Sequence, residues 1–213
     1  MAELQERQRI LESVQEKIFR EGFVKVTVDE MADDLGMSKK TIYKIFPSKE
    51  EIMRGIVHMT MRRIEKQVTA IVDSDKPFEQ KFTEFLAILA RLTSKFSKQL
   101  QRDIQKYLPQ LEKEMEVFRR EKIFGKLRPM FHQAKEEGFL REDLNDEVFM
   151  LVFINSVQNI MTPSVLADQS FSAQEAFRQI FQILFEGALT EEARKKFHFF
   201  DFSTLDDQAR GTL

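Results

Sequence analysis

Few side chains here are placed to make or break covalent bonds. The 213 residues include three histidines, His58, His132 and His198, and no cysteine. The histidines lie in different segments without a partner at helical ligand spacing. No His-Glu-x-x-His, Gly-x-Ser-x-Gly or glycine-rich phosphate loop is present. Without thiols there is no disulfide framework, thiolate metal site or Cys nucleophile. At 32% charged residues, carboxylate pairs read as solvated helix faces. The expectation is a non-enzyme with no catalytic residue, no metal and no cofactor. The concentrated chemistry is cationic. Between residues 35 and 49 stand Lys39, Lys40, Lys44 and Lys49 with no Asp or Glu, although residues 1–56 hold ten Lys and Arg against eleven Asp and Glu, a net of −1. Lysines neutralise phosphates and release counterions, which gives salt-dependent affinity. The hydroxyls of Thr27, Ser38, Thr41 and Tyr43 can donate to phosphate oxygens and fix register, and a helix starting at Lys49 would offer backbone N–H groups to the same anion.

The elements that carry these groups follow from spacing. Leu4, Leu11, Val14 and Ile18 make the apolar stripe of a first helix, with Gly22 just past its end. Residues 24–28 look briefly strand-like, but Thr27 and Glu30 have capping-box spacing and open a short helix through Val28, Met31, Ala32 and Leu35, stopped by Gly36. Ser38 starts another, with Ile42, Ile45 and Phe46 inward, and Pro47 ends it. Ser48 and Glu51 repeat the capping spacing ahead of a long helix from Lys49 towards Val72. Two short helices joined at 35–37 match a helix-turn-helix, with Lys39, Lys40, Tyr43 and Lys44 opposite the inward face of the second. On spacing alone, a helical hairpin with a solvated lysine face is the competing reading.

The run Thr27-Val28-Asp29-Glu30-Met31-Ala32, then Leu35-Gly36-Met37-Ser38, Thr41-Ile42-Tyr43 and Phe46-Pro47-Ser48-Lys49-Glu50-Glu51 resembles the DNA-binding domain of the tetracycline-repressor (TetR) family. About 45 residues carry this resemblance, which includes Gly22-Phe23. It implies a double-stranded DNA operator as partner, with contacts from Thr27, Ser38, Lys39, Thr41, Tyr43, Lys44 and Lys49. Lys40 departs from the small residue or proline common there and is assigned as an additional contact because the local charge is all positive. The implied architecture is all-α: a three-helix helix-turn-helix domain at 1–48, joined by a long helix to a helical regulatory and dimerisation domain at 49–213. The implied function is a cytoplasmic, homodimeric transcriptional regulator, a repressor released by a small apolar or neutral ligand. The alternative is a helix-turn-helix scaffold that acts through another protein without an inducer.

Beyond residue 56 the pattern stays helical and becomes rich in phenylalanine, with 18 of the 21. Helices are expected over about 98–108, 111–138 with a kink at Pro129, 146–161 and 173–189, and from Thr190 into a tail irregular at 199–202. Residues 148–167 carry no charge, but their longest apolar run is seven residues, too short to span a membrane. Helices apolar on most sides need cover. With the resemblance, this places Val152, Phe153, Phe177, Phe181, Leu184 and Phe185 at a dimer seam. Asn155, Gln158, Asn159 and Thr162 form a polar stripe that suits either a ligand pocket or that seam. Phe85, Tyr107, Phe131 and His132 complete the pocket candidates with Asn155 and Asn159, and no charged residue stands out as a ligand counter-ion.

Overall fold

The computed structural model describes residues 2–95, 97–160 and 162–196. Among them twelve α-helices and one π-helical segment follow one another: α1 (Ala2–Glu21), α2 (Val28–Leu35), α3 (Lys39–Ile45), α4 (Lys49–Val72), α5 (Phe78–Lys95), α6 (Lys98–Tyr107), α7 (Pro109–Phe118), the π segment (Arg119–Phe124), α8 (Gly125–Glu136), α9 (Asp146–Ile160), α10 (Pro163–Asp168), α11 (Ala173–Ala188) and α12 (Glu191–Lys196). The described residues contain no strand, only an isolated bridge between Leu140 and Leu189. No helix among them is long and apolar enough to cross a membrane.

Local chemistry sets the early boundaries. Thr27 Oγ1 accepts from the Glu30 N–H at 3.2 Å while Glu30 Oε2 accepts from the Thr27 N–H at 2.7 Å, a complete capping box. Gly36, at φ 62°, closes α2. Ser38 and Ser48 cap α3 and α4 by accepting from the N–H groups of Thr41 and Glu51. The brief strand-like pattern at 24–28 yields to these caps.

Two cores organise the chain. The first joins the inward stripes of α1, α2 and α3 to Ile52, Met53, Ile56 and Val57 of α4, and takes in Leu100 and Ile104 of α6 with Leu108 and Leu111. The second is the phenylalanine-rich core of α5, α8, α9 and α11, where Phe181 and Phe185 stack at 3.9 Å between centroids. α4 enters both, contributing Val68 and Ile71 to the second. Gly55 makes its α1 crossing close: a Cβ there would lie 2.9 Å from Leu11 Cδ2.

Two features depart from the sequence reading. The 111–138 helix is broken by the π segment, one turn upstream of Pro129, and α8 continues through the proline. The charge-free stretch contains an additional helix, α10, capped by Thr162 with Pro163 in its first turn. The tail at 199–202 lies outside the described residues.

The dimer assignment needs correction. Phe153, Phe177, Phe181 and Phe185 are at most 2% exposed within one subunit, so the partner-facing role does not fit them. Their apolar character is satisfied by each other and by Phe82 and Phe131. Leu184 is partly buried against the same core. Val152 is exposed, and beside it the open apolar surface consists of Val148 and Leu151 on α9 and Ile183 on α11.

Candidate nucleic-acid interface

α3 is short, and its orientation depends on what holds it. Ile42 and Phe46 are fully buried, which turns Lys39, Lys40, Thr41, Tyr43 and Lys44 outward. α1 supplies the rest of the clamp. Arg7 Nη1 donates to the Ile45 carbonyl at 3.2 Å, and its guanidinium lies 4.2 Å from the Phe46 ring centroid. Arg9 Nη2 reaches the Leu35 carbonyl at 3.5 Å. Arginines of one helix therefore sit at the C-terminal ends of both α2 and α3, where unpaired carbonyls and the helix dipole favour positive charge. Sequence reasoning missed them because the contacts span 38 and 26 residues.

The eight assigned DNA contacts do not stand alike. Lys40 and Lys44 are exposed on the outer face of α3. Lys39 is exposed but pairs with Asp29 Oδ2 at 2.9 Å, and that hydrogen bond raises its pKa. Ser38 Oγ and Thr41 Oγ1 lie 2.7 Å apart, so one hydroxyl proton is spent between them and the other is free to donate outward. Thr27 Oγ1 donates to Glu30 Oε2 at 3.1 Å, which commits its proton to the cap. The Thr27 N–H and hydroxyl together lower the Glu30 pKa. Tyr43 presents a 40% exposed ring. Lys49 turns inward: Nζ donates to the Val24 carbonyl at 3.1 Å and lies 4.6 Å from the Phe23 centroid. Burial lowers its pKa, while the charges of Asp103, Glu50 and Glu30 act in the opposite sense. One of its three donors is occupied, so its role as a phosphate contact is shared with fastening the loop before α2 to the start of α4.

The reading head is also latched to α6. Asp103, 2% exposed, accepts from the Val24 N–H at 2.9 Å and from Gln99 Nε2 at 2.8 Å. Gly22 adopts φ 95°, and a Cβ there would lie 2.7 Å from Asp103 Oδ2. The Ser97 N–H adds a bond to the Phe19 carbonyl at 3.3 Å. Farther along α4, Glu114 of α7 receives Arg54 Nη1 at 2.9 Å and lies 2.8 Å from His58 Nε2.

The body holds a cavity of about 160 Å³ bounded by α4, α5, α6, α7, the π segment, α9, α10 and α11. Apolar walls come from residues such as Val57, Met61, Ile64, Leu89 and Phe118, with Thr60, Gln101 and Arg119 as polar members. None of the six pocket candidates lines it. Phe85 and Phe131 are buried in the phenylalanine core. Tyr107 is 49% exposed beneath the Lys106 ammonium, and His132 is exposed beside Glu136. Asn155 and Asn159 face outward, with Asn155 Nδ2 donating back to the Leu151 carbonyl at 2.7 Å. Asn155 and Asn159 thus share the open face of α9 with Val148, Leu151 and Val152. Metal-ligating clusters are absent among the described residues.

A capped helix pair presenting lysines, hydroxyls and an aromatic ring from its second member, on an all-α body, defines a helix-turn-helix DNA-binding transcriptional regulator. Residues 10–56 match the family of bacterial regulatory proteins described as the tetR family. It is similar to the uncharacterized HTH-type transcriptional regulator YvaF of Bacillus subtilis, 22% identical over 187 residues, 86% of this chain and 96% of that protein. It is also similar to the nucleoid occlusion factor SlmA of Aliivibrio fischeri, 22% identical over 183 residues, 84% of this chain and 93% of that protein. Among solved structures, the fold is shared with the ketosteroid transcriptional regulator KstR2 of Mycobacterium tuberculosis (TM-score 0.54, 19% identity, 87% of this chain and 96% of that one). It is shared too with the TetR-family regulator PfmR of Thermus thermophilus (TM-score 0.54, 22% identity, 83% and 97%).

Proposed function

We propose that this protein is a cytoplasmic, homodimeric repressor that reads an operator with α3 of each subunit and leaves it when a small molecule fills the body cavity. The observation that carries this reading is the placement of that cavity. Val57, Thr60, Met61 and Ile64 of α4 form one wall, and α4 begins four residues after α3 ends. Gln101 forms part of another, two residues from the Asp103 latch on the reading head. A ligand that fits better when α4 and α6 are displaced would shift the reading heads by its differential affinity and no more.

Dimerisation draws support from Val148, Leu151, Val152 and Ile183, which expose apolar area on adjacent helices. A two-fold contact through α9 and α11 would cover the same patch on both subunits. It would set two reading heads for half-sites about 34–36 Å apart or a multiple of that. The test is selection of bound duplexes from a random-sequence pool by the purified protein. The expected product is an inverted repeat whose half-site centres are one helical turn or a multiple apart; enrichment of no sequence, or of a single unrepeated half-site, refutes it.

The similarity to SlmA supports a second reading, in which the DNA-bound protein acts through a protein partner and has no inducer. Under that reading, filling the cavity with Ala173→Phe leaves regulation in cells intact. Under the first, that variant no longer responds to the inducing condition.

A further inference from the structure

The cavity that serves the proposed release of DNA contains one charged lining residue, and its electrostatics are unusual. Arg119 opens the π segment, and its Nε and Nη2 are buried without a hydrogen-bond partner. No Asp or Glu lines the cavity. The nearest acids acting on Arg119 are Glu116 and Glu112, and Glu112 Oε1 already accepts from the Ser164 N–H at 3.2 Å. Burial lowers the Arg119 pKa, with both glutamates opposing, yet a guanidinium stays charged under any physiological condition. Guanidinium N–H groups held away from water without a partner are costly unless something pairs with them. The cost falls on the wall of an apolar hole, and both ends of the π segment, Arg119 and Phe124, border that hole. Single π turns recur at functional sites because they re-aim side chains that a regular helix would direct elsewhere.

We infer that the cavity takes an organic carboxylate, its apolar body among Val57, Ile64, Leu89 and Phe118 and its carboxylate on the free N–H groups of Arg119. This rests on the reading of the cavity as the ligand site and gives that ligand a charge, where the sequence had pointed to an apolar or neutral one. The planar guanidinium offers Nε–H and Nη2–H side by side, the fork that matches two carboxylate oxygens. A dry cavity of about 150 Å³ accommodates benzene, so the 160 Å³ here fits an enclosed body of about one ring or a chain of about six to eight carbons.

The experiment compares sodium octanoate, 1-octanol and sodium acetate on the full-length protein by calorimetric titration and thermal shift. It includes wild type, Arg119→Met and Arg119→Lys. Methionine keeps the stem volume, and circular dichroism with retained octanol binding reports an intact cavity. Octanoate is expected to bind wild type at least about 10-fold more tightly than octanol, or about 1.4 kcal/mol, with acetate inert. In Arg119→Met that preference vanishes or reverses; in Arg119→Lys it is weakened, because a point charge replaces the fork. Equal binding of octanoate and octanol to wild type, or an octanoate preference that survives Arg119→Met, overturns the carboxylate assignment and leaves the cavity standing as a ligand site. Silence of both octanoate and octanol overturns the cavity reading as well. Acetate as effective as octanoate would mean a surface anion effect and overturns the assignment too.

Discussion

The latch between α6 and the reading head can be weighed from its contacts. Replacing Asp103 with Ala removes a carboxylate that is 2% exposed and accepts from the Val24 N–H and Gln99 Nε2. Gln99 is exposed, so its amide can turn to water at little cost. Val24 is 48% exposed, so water can partly replace the lost acceptor of its N–H. A hydrogen bond to a charged group contributes about 1.5–3 kcal/mol. Relief of the carboxylate's own desolvation offsets part of this, so the net destabilisation is about 1–2 kcal/mol. For a chain of this size each kcal/mol moves Tm by about 2–4 °C, giving a drop of roughly 2–8 °C by scanning calorimetry. Gly22→Ala places a methyl 2.7 Å from the same Oδ2 and strains a backbone at φ 95°. Part of its cost should vanish once Asp103 is gone. The double variant should therefore depart from additivity by at least about 0.5 kcal/mol. A Tm change under about 2 °C for Asp103→Ala, or strict additivity with Gly22→Ala, refutes the latch.

Lys40→Ala and Lys44→Ala should each flatten the logarithmic salt dependence of operator binding by about 0.9; an unchanged slope in fluorescence anisotropy removes that lysine from the phosphate contacts. Asp29→Asn frees Lys39 from its ion pair and should tighten DNA binding at low salt, whereas weaker binding would show that the pair positions Lys39 for its contact. Arg7→Met deletes the Ile45 carbonyl bond and the contact with Phe46, for an expected loss of about 1–3 kcal/mol in urea unfolding; no loss means the clamp on α3 lies elsewhere. Leu151→Glu, on an exposed position, should yield folded monomers in sedimentation, and an intact dimer would exclude the α9 face. Because the folded Glu30 pKa is depressed, its stabilisation of α2 is complete above the ordinary carboxylate value and fades as pH falls through the folded one; an NMR titration of Glu30 at or above the ordinary value would contradict the capping box.

What could be read from the chain was local. Thr27 with Glu30, Ser38 with Thr41 and Ser48 with Glu51 each specify a helix start within three residues, so α2, α3 and α4 were legible to their first turns. The lysine face followed from Ile42 and Phe46 pointing the other way. Apart from the π segment and α10, which are local, the failures involve contacts far apart in sequence. An apolar helix face does not say whether its cover is the same subunit or another, and Phe153, Phe181 and Phe185 are covered by their own subunit. The exposed positions are instead the aliphatic Val148, Leu151, Val152 and Ile183, which carry no aromatic signal. The helix at 98–108 was expected, but the same blindness hid its role: its inward residues Leu100 and Ile104 close the core of the reading head although 40 or more residues separate them from α4's contribution to it.

That placement gives the architecture a mechanical consequence. The reading head does not fold against α1 to α4 alone, so moving α6 strains the head's own core, with Asp103 at the contact. The cavity touches α6 through Gln101 and α4 through Val57, and both helices contribute to the head's core. On the proposed ligand-release reading, a ligand between them would alter the head's orientation without unfolding it, because the capped helices α2 and α3 are held together by Arg7 and Arg9 from α1. Arg119 also lines the cavity, where the π segment breaks regular helical spacing, so an anion drawn to it would bring its apolar body into the space that α4 and α6 border. On that same reading, the rigid clamp at one end serves the reading of DNA and the irregular turn at the other serves the response to a ligand.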